Sequence, residues 1–169
     1  AEDAYELSDA QRAALAAISR WIEPTPSFHV ALLFGVPGSG KTEVYVRAIR
    51  QVVAAGRQAI LLIPEIALAT QMVQRLARRF PRVAVLRSRL PTSQRLGVLR
   101  RVAAGEIDVV IGTRTAVFAP LRRPGLIVVD DEQEGSFKSI AAPYYHARDV
   151  AIKRGKLEPV PVIPGSAPP

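Results

Sequence analysis

The chain has 169 residues, 49% of them hydrophobic, with a formal net charge of +8 and a sequence pI near 10.6, which suffices for one domain with a sizeable core. It has no cysteine, which excludes disulfides and thiolate metal sites and is compatible with a reducing cytosol. No apolar run is long enough to span a bilayer, and the acidic opening, Ala1 to Glu6, does not read as a signal peptide. In chain order, Leu7 to Trp21 has helical spacing with Ser8 in position to cap it. Val30 to Phe34 is an apolar run of strand character, and Thr42 to Ile49 has helical spacing. Ala59 to Ile63 predicts a buried strand that stops at Pro64, followed by a helix over Leu68 to Phe80 and a short strand, Val83 to Leu86. Thr92 to Ala104 predicts a helix closed by Gly105. Strands are expected at Val109 to Ile111 and Leu126 to Val129, a short helix at His146 to Arg154 and a last strand at Val160 to Ile163.

Continuous apolar strands separated by helices imply a parallel sheet with helices on both faces, an α/β fold. Ligands in such sheets bind outside the carboxyl ends of the strands. Three motifs fall at such ends: Gly35 to Thr42, Pro64-Glu65 and Asp130-Asp131.

Residues 35–42, Gly-Val-Pro-Gly-Ser-Gly-Lys-Thr, fill every fixed position of the phosphate-cradling pattern G-x-x-x-x-G-K-[ST]. Gly35, Gly38 and Gly40 let backbone N–H groups approach phosphate oxygens where a Cβ would collide, and Ser39 falls within the same cradle. Lys41 has the reach for the β- and γ-phosphates, and the Thr42 hydroxyl suits Mg²⁺. The alternative is a ligand-free glycine-rich turn. The strand before the motif and the helix after it favour nucleotide. Asp130 follows a four-residue apolar run, where an acid would hold the water shell of Mg²⁺, and Asp131 beside it would orient an attacking water. The plainer alternative is that both acids begin a surface loop.

Arginine supplies most of the positive charge, with Arg75, Arg78, Arg79, Arg82, Arg87, Arg89, Arg95, Arg100 and Arg101 in one stretch. A polyanionic partner and an ordinary solvated surface both account for it.

In order, the motifs resemble the first motor lobe of superfamily-two DNA helicases, most closely the PriA family of bacterial primosomal replication-restart helicases. The matching stretches are Gly35 to Val44, Pro64 to Gln71, Ile111 to Pro120, Leu126 to Gln133, Tyr145 to Asp149 and Gly165 to Pro169. Leu7 to Gln11 resembles the family's N-terminal segment, in which Gln11 would approach the adenine. The resemblance implies an α/β fold of the P-loop NTPase, RecA-like kind, with residues 1–27 as an N-terminal helix and adenine-side segment and 28–169 as an ATP-binding lobe. It implies that Lys41, Thr42 and Asp130 hold ATP phosphates and Mg²⁺. It implies that Pro64, Glu65 and Ile66, with Gly112, Thr113 and Arg114, face the phosphodiester backbone of one DNA strand. It further implies an aromatic-rich loop over Glu134 to Arg148, including Phe137, Lys138, Tyr144, Tyr145, His146 and Arg148, that couples DNA contact to hydrolysis. Aromatic faces there would stack on unpaired bases of any sequence, though core packing is an alternative use of the same rings. Expected partners are single-stranded or forked DNA and primosome and replisome proteins, in the bacterial cytoplasm at the nucleoid, without a membrane.

The chain departs from the family at three places. The acidic motif, usually Asp-Glu-Glu-His, reads Asp130-Asp131-Glu132-Gln133, so the base position carries a side chain one methylene shorter. Glu132 could substitute only through a register shift. Arg87 and Arg89 stand where the family tends to carry His and Gly, and Pro168 stands where the final motif carries Thr. The nucleotide cradle is intact and the coupling positions are altered, which leaves two functional expectations: a working ATP-dependent translocase lobe, or a degenerate helicase-like scaffold that binds forks and recruits the primosome. A generic P-loop ATPase unrelated to DNA is a third, disfavoured by Pro64 to Gln71 and Tyr145 to Asp149. The family's second lobe, with its arginine, and its zinc site would lie beyond residue 169, so a fragment or excised domain is expected.

Overall fold

The computed structural model describes residues 6–34, 40–68, 70–87, 89–130 and 146–166. Six strands form one sheet: β1 (Leu33–Phe34), β2 (Gln58–Leu62), β3 (Val83–Leu86), β4 (Val109–Gly112), β5 (Pro124–Val129) and β6 (Val162–Ser166). Their order across the sheet is β1-β6-β5-β2-β4-β3, and every pairing is parallel. The expected parallel α/β architecture is therefore present. The helices are α1 (Asp9–Ile22), α2 (Lys41–Ala54), α3 (Glu65–Leu68), α4 (Gln71–Ala77), α5 (Thr92–Ala103) and α6 (Ala147–Leu157), with a short 3₁₀ helix at Arg114–Phe118.

The core follows from strand alternation. Ala59, Leu61, Val109, Ile111, Leu126 and Val128 point to one face, where α1, α2 and α4 cover them. Ile60, Leu62, Val110, Ile127 and Val129 point to the other, under α5, α6 and the 3₁₀ helix. Burial on both faces is why these strands read as unbroken apolar runs. Among the described residues no helix is long and apolar enough to cross a membrane.

Ser8 caps α1 as expected, in a reciprocal capping box: Gln11 N–H donates to Ser8 Oγ at 3.2 Å, and Ser8 N–H donates to Gln11 Oε1 at 2.8 Å. Several boundaries differ from expectation, and three bear on how the sheet and α4 are built. The helix predicted over Leu68 to Phe80 is α4 alone, shorter at both ends, while Leu68 closes the separate α3; Thr70 is extended between them, its hydroxyl donating to the Ala67 carbonyl at 2.6 Å. That local bond gives the backbone an alternative to the helical ladder. The last strand begins at Val162 and runs through Pro164 to Ser166, because Gly165 and Ser166 pair with Leu33 and Phe34. The first strand is short, with Val30 joined to Val162 by an isolated bridge.

Candidate nucleotide site and nucleic-acid face

Because all six strands are parallel, their carboxyl ends share one edge of the sheet. Lys41 after β1, Pro64 and Glu65 after β2, Arg87 after β3, Thr113 and Arg114 after β4 and Asp130 after β5 all lie along it. Gly35, Gly38 and Ser39 lie outside the described residues, as do Asp131, Glu132, Phe137, Lys138 and Tyr145. Gly40 caps α2 at φ 90, a left-handed conformation that suits glycine, and Lys41 and Thr42 open the helix.

Lys41 and Asp130 meet. The Lys41 Nζ lies 3.7 Å from Asp130 Oδ1, with both side chains largely buried. The Tyr45 hydroxyl donates to the same oxygen at 3.1 Å. Tyr45 sits one helical turn beyond Lys41, so α2 presents both to β5. The third wall is bare backbone: a Cβ on Gly165 would come within 1.6 Å of the Tyr45 hydroxyl and 3.2 Å of Asp130 Oδ1. A glycine is therefore required where β6 passes the tyrosine. Thr42 and Asp130 supply a hydroxyl and a carboxylate, hard oxygen donors of the kind Mg²⁺ prefers beside substrate phosphates. By donor chemistry these two residues suit the expected metal.

Glu43, between those residues, is used structurally. It is buried on α2, and its carboxylate accepts two bonds from Arg79, at 2.6 and 3.0 Å, and one from Arg47 at 3.1 Å. The Arg79 hydrogen bond holds the Glu43 carboxyl below its ordinary range, against the opposing effect of burial, with Arg47 adding in the same direction. The pair fastens the start of α2 to the segment after α4.

A cavity of about 240 Å³ opens beside Lys41, lined by Ser8, Gln11, Leu33, Phe34 and Val44 among others. Gln11 and Lys41 thus share one cavity, and the Phe34 ring is 60% exposed at its side.

At the other loops, Glu65 is exposed at the start of α3, and the neighbouring Ile66 is 78% exposed. Pro64 and Thr113 are buried, so they shape their loops while Glu65 and the half-buried Arg114 stand further out. Arg148 is half-buried and donates to Asp149 at 3.2 Å, with its own N–H on His146 Nδ1 at 3.0 Å. Arginines brace the loops. Arg87 donates to the Leu68 carbonyl at 3.2 Å, and Arg95 donates to the Arg87 carbonyl at 3.1 Å and to Thr115 Oγ1 at 3.3 Å.

The pattern of DEAD/DEAH box helicases matches residues 8–154. The chain belongs to the DEAD/DEAH box helicase family. The helicase lobe is 44% identical over 164 residues to the replication restart protein PriA of Bacillus subtilis (strain 168), covering 96% of this chain and 20% of that protein. It is 48% identical over 168 residues to the replication restart protein PriA of Treponema pallidum (strain Nichols), covering 99% of this chain and 25% of that protein. The chain thus spans a fifth to a quarter of the length of these relatives. Among solved structures, RecG bound to a three-way DNA junction superposes with a TM-score of 0.71 at 25% identity, over 97% of this chain and 21% of that one. The UvsW helicase from Bacteriophage T4 superposes with a TM-score of 0.60 at 14% identity, over 95% and 52% respectively, a likeness of fold alone.

Two working parts of the helicase lobe escape sequence reasoning. Tyr45 reads as one more apolar position of α2, although its spacing of four from Lys41 places both on one helix face. Arg79 reads as part of the general arginine excess, and nothing local in the sequence pairs it with Glu43, 36 residues away.

Proposed function

We propose that this helicase lobe binds ATP and Mg²⁺ at the edge formed by Lys41, Thr42 and Asp130, and couples nucleotide binding and hydrolysis to movement along single-stranded DNA during replication restart at stalled forks in the bacterial cytoplasm. The observation that carries it is the approach of Lys41 to Asp130 on the same sheet edge as Glu65 and Arg114. Gln11 and Phe34 line the space next to Lys41 where a base would sit, and Lys41 would release Asp130 to neutralise phosphate charge. Tyr45 keeps the carboxylate oriented while that exchange occurs. Bound Mg²⁺, held by Thr42 and Asp130, would offset the charge on the β- and γ-phosphate oxygens. Arg114, with Phe137, Lys138, Tyr145 and Arg148, would hold the strand through phosphates and stacked bases.

The test is ATP hydrolysis by the full-length protein with and without forked DNA, beside Lys41→Ala. Turnover that rises with DNA and vanishes in the variant is the expected result. The departures at Asp131 and Pro168 favour a second reading, a fork-binding scaffold that recruits the primosome without unwinding. Fork binding without turnover would select it.

A further inference from the structure

The amino ends of the strands form the opposite edge of the sheet, and they carry a basic cavity that the proposed ATP and single-strand sites do not use. It has a volume of about 510 Å³ and is lined by Arg82, Arg122, Arg123, Asp108 and the small residues Gly56 and Gly105, with Val53 and Ala104 completing the wall. Arg82 precedes β3, Asp108 precedes β4, and Arg122 and Arg123 precede β5. Gly56 and Gly105 follow the ends of α2 and α5.

The guanidinium groups of Arg82 and Arg122 are held by carbonyl acceptors. Arg82 donates to the Glu106 carbonyl at 2.8 Å and to the Gly105 carbonyl, and Arg122 donates to the Ala104 carbonyl at 3.3 Å. Arg123 is fixed through its backbone: its N–H donates to Gln58 Oε1 at 2.9 Å, and its carbonyl accepts from the Gln58 N–H at 2.7 Å. Gln58 is itself buried, its amide donating to the Val102 and Ile107 carbonyls at 3.0 and 2.7 Å. Carbonyl partners orient a guanidinium without cancelling its charge. Asp108 stands 3.7 Å from Arg82, and Glu106 is drawn to Arg101 at 3.6 Å. Among the described residues no carboxylate lies within ion-pair distance of Arg122 or Arg123, and both are exposed. Arg57 adds a further charge beside them, donating to the Pro124 carbonyl at 3.4 Å.

We infer that this cavity is a phosphate-backbone site for duplex DNA. Guanidinium groups oriented in this way, as those of Arg82 and Arg122 are, match phosphate oxygens in geometry as well as charge. Among the described residues no aromatic ring lines the cavity, so unpaired bases would find nothing there to stack on, whereas a duplex keeps its bases paired and offers phosphates alone. A strand length, about 17–20 Å, separates this edge from the ATP edge. The lobe would therefore hold the duplex arm of a fork at one end and the single strand at the other. The inference rests on the proposed action at forks.

The experiment measures binding of the full-length protein to blunt duplex and to single-stranded oligonucleotides across a salt series, for wild type, Arg122→Gln with Arg123→Gln, and Arg122→Lys with Arg123→Lys. Circular dichroism melting checks the fold of each. Expected is a fall of about 2 in the slope of log affinity against log salt for duplex in the Gln pair, with the slope kept in the Lys pair and single-strand binding and nucleotide affinity unmoved. If the Gln pair does not fold, Arg122→Gln alone should lower the slope by about 1. An unchanged duplex slope beside intact single-strand binding overturns this inference alone. A wild-type protein that binds neither form of DNA overturns the proposed function together with it. Weakened binding of polyglutamate in the Gln pair, with duplex unmoved, overturns it in favour of an acidic protein segment.

Discussion

The Tyr45 hydroxyl and Lys41 Nζ converge on one oxygen of Asp130, at 3.1 and 3.7 Å. Tyrosine is the fixed partner of the two, because its ring is buried and rigid while lysine has four rotatable bonds. Tyr45→Phe removes the donor and keeps the ring. It should cost about 1 kcal/mol in thermal unfolding and reduce DNA-stimulated kcat about fivefold with KM for ATP little changed. An unchanged kcat would limit Tyr45 to packing.

Glu43 gives the fold a pH dependence. Its folded pKa is lowered, so the stability it adds is present above the ordinary carboxyl value of 4.5 and is lost as pH falls through the lower folded value. Glu43→Gln should unfold more easily than wild type at neutral pH, by about 1–2 kcal/mol, since the bonds lost are charge-assisted. The gap between the two melting curves should close below pH 4.5. A gap that stays constant to pH 3 would show that charge on Glu43 is not what fastens α2.

Gly165→Ala should destabilise by at least about 2 kcal/mol, since its Cβ would fall inside the Tyr45 hydroxyl. Adding Tyr45→Leu should recover part of the loss, and a double-mutant cycle measures that coupling. Strict additivity would contradict the contact.

Gln11 holds two positions at once, a capping-box acceptor for Ser8 and a wall of the cavity beside Lys41. Gln11→Glu keeps an acceptor for the Ser8 N–H and removes the amide donor. Its unfolding free energy should stay within about 0.5 kcal/mol of wild type, while affinity for ATP drops by about tenfold. Equal affinity would leave Gln11 with the cap alone.

Asp131→Glu together with Pro168→Thr replaces two of the residues that differ from the expected acidic and final motifs. DNA-stimulated turnover of the full-length protein should rise, by up to about a hundredfold if carboxylate placement is limiting. No change would mean that neither departure sets the rate.

Most of the fold was legible because burial on both faces writes each strand as an apolar run, and Ser8, Gly40 and Gly105 mark helix ends directly. The break at Thr70 was not, because a hydroxyl turning back onto the Ala67 carbonyl leaves no trace in hydrophobic spacing. The extension of β6 past Pro164 was hidden for a similar reason: pairing with β1 is a long-range event that overrides a local stop. At the site, Lys41, Thr42 and Asp130 announced themselves through motif spacing. Tyr45 and Gly165 did not, since the contact joins residues 120 positions apart, and only topology brings them together. The basic cavity was legible as charge but not as a place, because its arginines come from the starts of different strands.

The arginine braces between the loops after β2, β3 and β4 end on carbonyl and hydroxyl oxygens rather than carboxylates. Screening by dissolved ions weakens attraction between full charges far more than short hydrogen bonds to neutral acceptors. Salt that would strip a polyanion from the proposed DNA face would therefore leave that face in shape. Under the proposed function, each round of release and recapture would meet loops already in position, with the cost of ordering them met once, during folding.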